Sequence, residues 1–114
     1  MEKDLMPVIT QAKELIRERR YKECEAVICA AMFEYPHDAV PHNLMGLLLE
    51  SRNCHIEAMK HFRASYALDP TYKPASWNLD CFGSFTRPHP CAYFEDDCTY
   101  TKPKLWDGED SCTS

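Results

Sequence analysis

A chain of 114 residues with 13 basic and 18 acidic side chains, net charge −5, makes one small domain with no surplus of base to meet a phosphate backbone. Its 45% hydrophobic content suffices for a core, and no apolar run approaches membrane-spanning length. The opening MEKDLMPV is charged with no apolar stretch behind it, so a cytoplasmic location is expected, and the seven cysteines are expected as free thiols rather than a disulfide framework.

Hydrophobic periodicity predicts an all-α chain of about five helices. The first is expected over residues 5–19, with Asp4 a candidate N-cap and Pro7 in the first turn, where a missing N–H is tolerated. Val8, Ala12 and Leu15 make its apolar stripe. The second is expected over residues 22–34, with Cys24, Ile28 and Ala31 inward, before a break at Tyr35-Pro36-His37-Asp38. Asp38 is placed to cap a third helix, residues 40–51, and the chain turns at residues 52–54 into a fourth that runs to position 68. A fifth is expected over residues 74–82, stopped by Gly83. Residues 84–114 then form an irregular extension: three prolines, six acids against three bases, no helical period, yet Phe85, Tyr93, Phe94, Tyr100, Leu105 and Trp106. That apolar load suggests that the extension folds back, either to cap the last helix or to lie in a groove of the array.

The stretch AVPHNLMGLLLESRNCHIEAMKHFRASYALDP, residues 39–70, reads as two antiparallel helices. Gly46 stands where the first must meet its neighbour closely. Ala58 stands where the second crosses back, and Phe62 follows one helical turn later on the same face. Asp69-Pro70 closes the unit. This pattern resembles a tetratricopeptide repeat, a helix–turn–helix unit of about 34 residues. Shifted back by that period, Gly46 falls on Ala12, Leu49 on Leu15, Ala58 on Cys24, Phe62 on Ile28, Ser65 on Ala31 and Pro70 on Pro36. Shifted forward, Trp77-Asn78-Leu79 fits the family's approach to its small residue, but Asp80 and Gly83 break the pattern. The resemblance therefore implies a short right-handed solenoid over residues 1–83, with repeats at about 5–38 and 39–72 and a partial third at 73–83.

In such arrays the first helices of successive repeats line a concave groove that binds extended peptides. The resemblance puts Ile9, Lys13 and Arg17 of the first repeat there, Asn43, Leu47 and Glu50 of the second, and Trp77 and Cys81 of the third. The charged clamp of the chaperone-binding members is absent, because Ile9, Lys13, Leu44, Pro74 and Asn78 occupy its positions. A peptide with an apolar anchor and a carboxylate would suit this mixed surface, Lys13 and Arg17 gripping the acid. Equally, Ile9, Leu47 and Trp77 would pack against the chain's own extension, whose Glu95-Asp96-Asp97 run, bracketed by aromatics, would dock on Lys13 and Arg17.

Other chemistries fare worse. Cys81, His89, Cys91 and Cys98 have poor spacing for zinc, with no C-x-x-C anywhere. The acidic run lacks the alternating ligands and glycine of a calcium loop. No nucleophile stands with a base and an orienting carboxylate, and no glycine-rich phosphate loop is present. The expected function is a non-enzymatic protein- or peptide-binding scaffold with no cofactor. The alternatives are a homo-oligomer stacked end to end, or a metal- or thiol-dependent module built on the extension.

Overall fold

Short polar residues and prolines set the helix limits. In the computed structural model, which describes residues 4–83 and 90–99, five α-helices follow one another: α1 Met6–Arg17, α2 Tyr21–Glu34, α3 Ala39–Ser51, α4 His55–Leu68 and α5 Lys73–Gly83. A short 3-10 helix, Glu95–Thr99, ends the described chain, and no strand occurs among the described residues. Pro7 sits in the first turn of α1, where the Asp4 carboxylate accepts from Met6 N at 3.1 Å. Asp38 caps α3 by accepting from Val40 N at 2.8 Å. After α4, Asp69 turns the chain by accepting from the amide and hydroxyl of Thr71, and Pro70 cannot extend the helix.

The first helix ends two residues earlier than the apolar pattern predicts, for a reason seen again in α3. Arg19 takes a left-handed φ of 61°, and Asn53 one of 65°. Each is the first residue beyond the cap of its helix. Arg20 N donates to Leu15 O at 2.9 Å and Arg19 N to Ile16 O at 3.0 Å; Cys54 N to Leu49 O at 2.8 Å and Asn53 N to Glu50 O at 3.0 Å repeat the pair. These are the two bonds of a Schellman motif. The correspondence continues through the second turns: Tyr35 N to Ala31 O matches Asp69 N to Ser65 O, and Asp38 N to Tyr35 O matches Tyr72 N to Asp69 O. The backbone therefore repeats at the 34-residue interval of a helix–turn–helix array. A left-handed arginine is strained where glycine is not, so Arg19→Gly is expected to raise stability by roughly 0.5 kcal/mol in urea unfolding. Asn53→Ala is expected to lower it by about 1 kcal/mol.

Side-chain burial obeys the same interval. Ala12 and Gly46 are buried, as are Cys24 and Ala58, Ile28 and Phe62, Ala31 and Ser65. In the first helix pair, α1 and α2, the Cys24 thiol reaches Ala12 O at 3.6 Å, and burial pushes its pKa up to about 11. In the second, Gly46 lies against the ring of Phe62, so close that an added Cβ would come within 2.5 Å of it. Ser65 Oγ donates to Ala39 O at 2.7 Å, fastening α4 to the start of α3. Phe82 of α5 stacks on Phe62, ring centroids 5.6 Å apart, so this residue is part of an internal contact rather than of an outer face.

Each helix packs on its chain neighbours. In addition α1 touches α3 and α3 touches α5, whereas no such contact joins α2 to α4 among the described residues. The odd-numbered helices thus form the closer layer. No helix of the described residues is long and apolar enough to cross a membrane.

Between α3 and α4 the sequence hides one pair: His42 Nδ1 and His61 Nδ1 lie 3.1 Å apart, the rings stacked. One ring donates and the other accepts, so the pair is neutral when whole. Burial lowers the pKa of both, the charge of His42 lowers that of His61 further, and Glu57 opposes this only in part. A histidine with a depressed folded pKa leaves the unfolded chain binding more protons. The pair's contribution is therefore complete above about pH 6.5 and is lost as the pH falls toward the folded values. Urea midpoints at pH 7.5 and 5.5 are expected to differ more in the wild type than in His61→Phe, which keeps the stack without the second titrating ring.

Candidate functional site

The closer layer, α1, α3 and α5, carries a strip of the chain's own extension. Asn78 on α5 and Asn43 on α3 are both wholly buried, a state that amides tolerate only when hydrogen-bonded. Asn78 Oδ1 accepts from Ala92 N at 2.8 Å, and its Nδ2 donates to Ala92 O at 2.8 Å and to Asn43 Oδ1 at 2.9 Å. Asn43 Nδ2 adds a longer bond to Ala92 O, 3.3 Å. One side chain thus grips both main-chain groups of one residue, and a second holds the first in position. Ala92 itself is fully buried.

Neighbouring contacts flank this clasp. Trp77 Nε1 donates to Pro90 O at 2.7 Å. Lys13 Nζ of α1 lies 5.4 Å from the ring centroid of Tyr93 and 5.6 Å from that of Phe94, within reach of a cation–π interaction. Cys91, Tyr93 and Phe94 pack, partly buried, against the main core. Asp97 folds the strip back on itself: its carboxylate accepts from Tyr93 N and Phe94 N, each at 3.0 Å, while Asp97 N donates to Phe94 O. Burial, first of all, pushes the Tyr93 hydroxyl well above the ordinary tyrosine range, so that ring stays neutral.

Of the residues expected in a groove, Lys13, Asn43 and Trp77 do contact the extension. Ile9 is buried and lines a cavity beside Phe94. Leu47 and Cys81 are buried too, 3% and 1% exposed, within the helical body. Arg17 is exposed and pairs with Glu14 on its own helix, and Glu50 pairs with His55 across the turn. Of the acidic run expected to dock on Lys13 and Arg17, Asp97 is turned inward on its own backbone and the Asp96 side chain lies outside the described residues, while Lys13 faces the two aromatic rings.

No family model, curated protein or solved structure matches this chain.

Its site chemistry therefore follows from these contacts alone. Asn78, which is not among the groove positions that the resemblance implies, is the central group of this contact. A signal was present: the dipeptide Asn-Leu occurs as Asn43-Leu44 and again as Asn78-Leu79, on the first helix of two successive units. Of the suggested zinc set, His89 lies outside the described residues, as do Phe85, Tyr100, Leu105 and Trp106. Among the described residues no three His, Cys, Asp or Glu side chains converge as metal ligands.

Proposed function

We propose that this chain is a non-enzymatic peptide-binding module of the tetratricopeptide type, a short right-handed stack of helix pairs whose α1–α3–α5 layer holds extended main chain. The two-point grip of Asn78 on Ala92 carries this reading. Such a grip reads backbone groups, which every peptide has, so it suits a ligand from another protein as well as residues 90–99. Lys13 and Trp77 supply the neighbouring selectivity, an aromatic pair under the ammonium and a carbonyl for the indole. In this reading the extension is the resident occupant and an outside partner displaces it.

The test is exchange. A protease site is placed between positions 83 and 90, and the cut protein is mixed with a labelled peptide of residues 88–100. Labelled peptide is expected to enter after cutting, and to fail to enter when Asn78 is alanine. Equal binding by both proteins, or none by either while circular dichroism reports intact helix, would defeat the proposal. A second reading, self-association, is favoured by the exposure of Phe33, 90%, and Ile56, 71%, on α2 and α4. Light scattering across a concentration series separates it: a constant monomer mass argues against it.

A further inference from the structure

We infer that the α1–α3–α5 layer selects a ligand of one pattern: a small residue, two aromatic residues directly after it, and an aspartate three positions further on that bends the strip back. The inference rests on the peptide-holding reading above and names the class of segment that the layer takes. The first position is set by burial. Ala92 is fully buried, and Asn78 holds its main-chain N and O, each at 2.8 Å. A longer side chain there must displace packed atoms or stretch those bonds, and a close-packed contact resists both.

The next two positions are set by what covers them. Tyr93 and Phe94 are partly buried against the main core, and Lys13 Nζ stands 5.4 and 5.6 Å from their ring centroids. An aliphatic pair would keep the burial but lose the pull of two ring faces on the ammonium. Glu95 is exposed, so its position carries little selection. Asp97 acts differently, within the strip. Its carboxylate accepts from Tyr93 N and Phe94 N, each at 3.0 Å, and its own N donates to Phe94 O at 3.0 Å. The resulting 3-10 turn, Glu95–Thr99, packs on α5. Bonds internal to a ligand form before it docks, so the acid lowers the ordering cost of binding rather than adding a contact. The recognised shape is therefore main chain gripped at one residue and then bent, which differs from the straight segment of strand addition. A partner that fits is a protein segment of the form small–aromatic–aromatic–x–x–Asp.

The experiment compares labelled peptides of residues 88–100 on the full chain cut between positions 83 and 90. Ala92→Leu is expected to weaken binding at least ~10-fold. The pair Tyr93→Leu/Phe94→Leu is expected to do so by ~10-fold, and to lose most of that penalty on a Lys13→Met chain. Asp97→Ala is expected to weaken binding about fivefold, and Glu95→Gln less than about twofold. The same changes are made in the uncut chain, where hydrogen exchange at residues 92–94 reports seating and protection in α3 reports an intact body. Equal affinities across the panel overturn the pattern and leave the peptide-holding reading in place. No binding by any peptide overturns that reading instead, and the uncut chain then decides the pattern. Protection lost with Ala92→Leu and with the leucine pair, but kept with Glu95→Gln, supports it; equal protection in all of them overturns it.

Discussion

Gly46→Ala is expected to destabilise the chain by about 2 kcal/mol, a large effect for one methyl group. Alanine is the better helix former by about 1 kcal/mol, so propensity alone predicts the opposite sign. Packing decides. The new Cβ would stand 2.5, 2.7 and 2.8 Å from three carbons of the Phe62 ring, where van der Waals contact needs more than 3.4 Å. That ring cannot easily withdraw, since Phe62 is fully buried and Phe82 lies stacked on it. α3 and α4 must therefore separate or the ring must leave its rotamer. The double variant Gly46→Ala/Phe62→Leu is expected to recover part of the loss relative to the sum of the single variants, because the two changes share one contact. Urea unfolding of the four proteins measures this. A Gly46→Ala chain as stable as wild type would mean that the helices do not cross there.

The second large effect belongs to Asn78. Asn78→Ala is expected to cost about 3 kcal/mol, because it leaves Ala92 N and Asn43 Oδ1 without that partner, and Ala92 O with only the longer bond from Asn43 Nδ2, at a fully buried contact. The chain has one escape, which is to unseat residues 90–99 and rehydrate these groups. The loss is then limited to the free energy of seating, and it shows as hydrogen exchange rather than as global unfolding. Amides from Ala92 to Asp97 are expected to lose protection while those of α3 and α4 keep theirs. Asn43→Ala is expected to be milder, about 1 kcal/mol, since its bond to Ala92 O is longer and Asn78 keeps both of its own bonds to Ala92. Protection at Ala92 unchanged by Asn78→Ala would refute the clasp.

Much of the helical body was legible in the chain because small and large residues alternate at a fixed interval. Gly46 against Phe62, and Ala12 against Cys24, are contacts between residues only 12 to 16 positions apart, within one hairpin, where helical spacing nearly determines which faces meet. Asp38 and Pro7 mark helix starts through local chemistry, which needs no tertiary knowledge. The site was less legible. Lys13, Asn43 and Trp77 follow from the groove positions that the resemblance implies, and Leu47 and Cys81, placed in the same way, are buried in the helical body. Arg17 and Glu50 found nearer partners in Glu14 and His55. Asn78 and Asp97 act on main-chain groups of a segment with no period of its own, so only the recurring Asn-Leu dipeptide hints at the first and no pattern of side chains announces the second. The His42–His61 pair depends on the crossing of two helices, which a one-dimensional pattern does not contain.

The connection between Gly83 at the end of α5 and Pro90, whose carbonyl receives the Trp77 indole, spans six positions. So short a covalent link holds its cargo near the layer at an effective concentration on the order of millimolar. A rival peptide making the same contacts, present at micromolar levels, would be outnumbered roughly a thousandfold by the tethered one. Under the proposed reading, an outside partner therefore displaces the extension only if it binds much more tightly or is far more abundant. Admission is eased by whatever cuts, strains or otherwise draws off the leash, which shifts the midpoint for an outside peptide toward its intrinsic affinity.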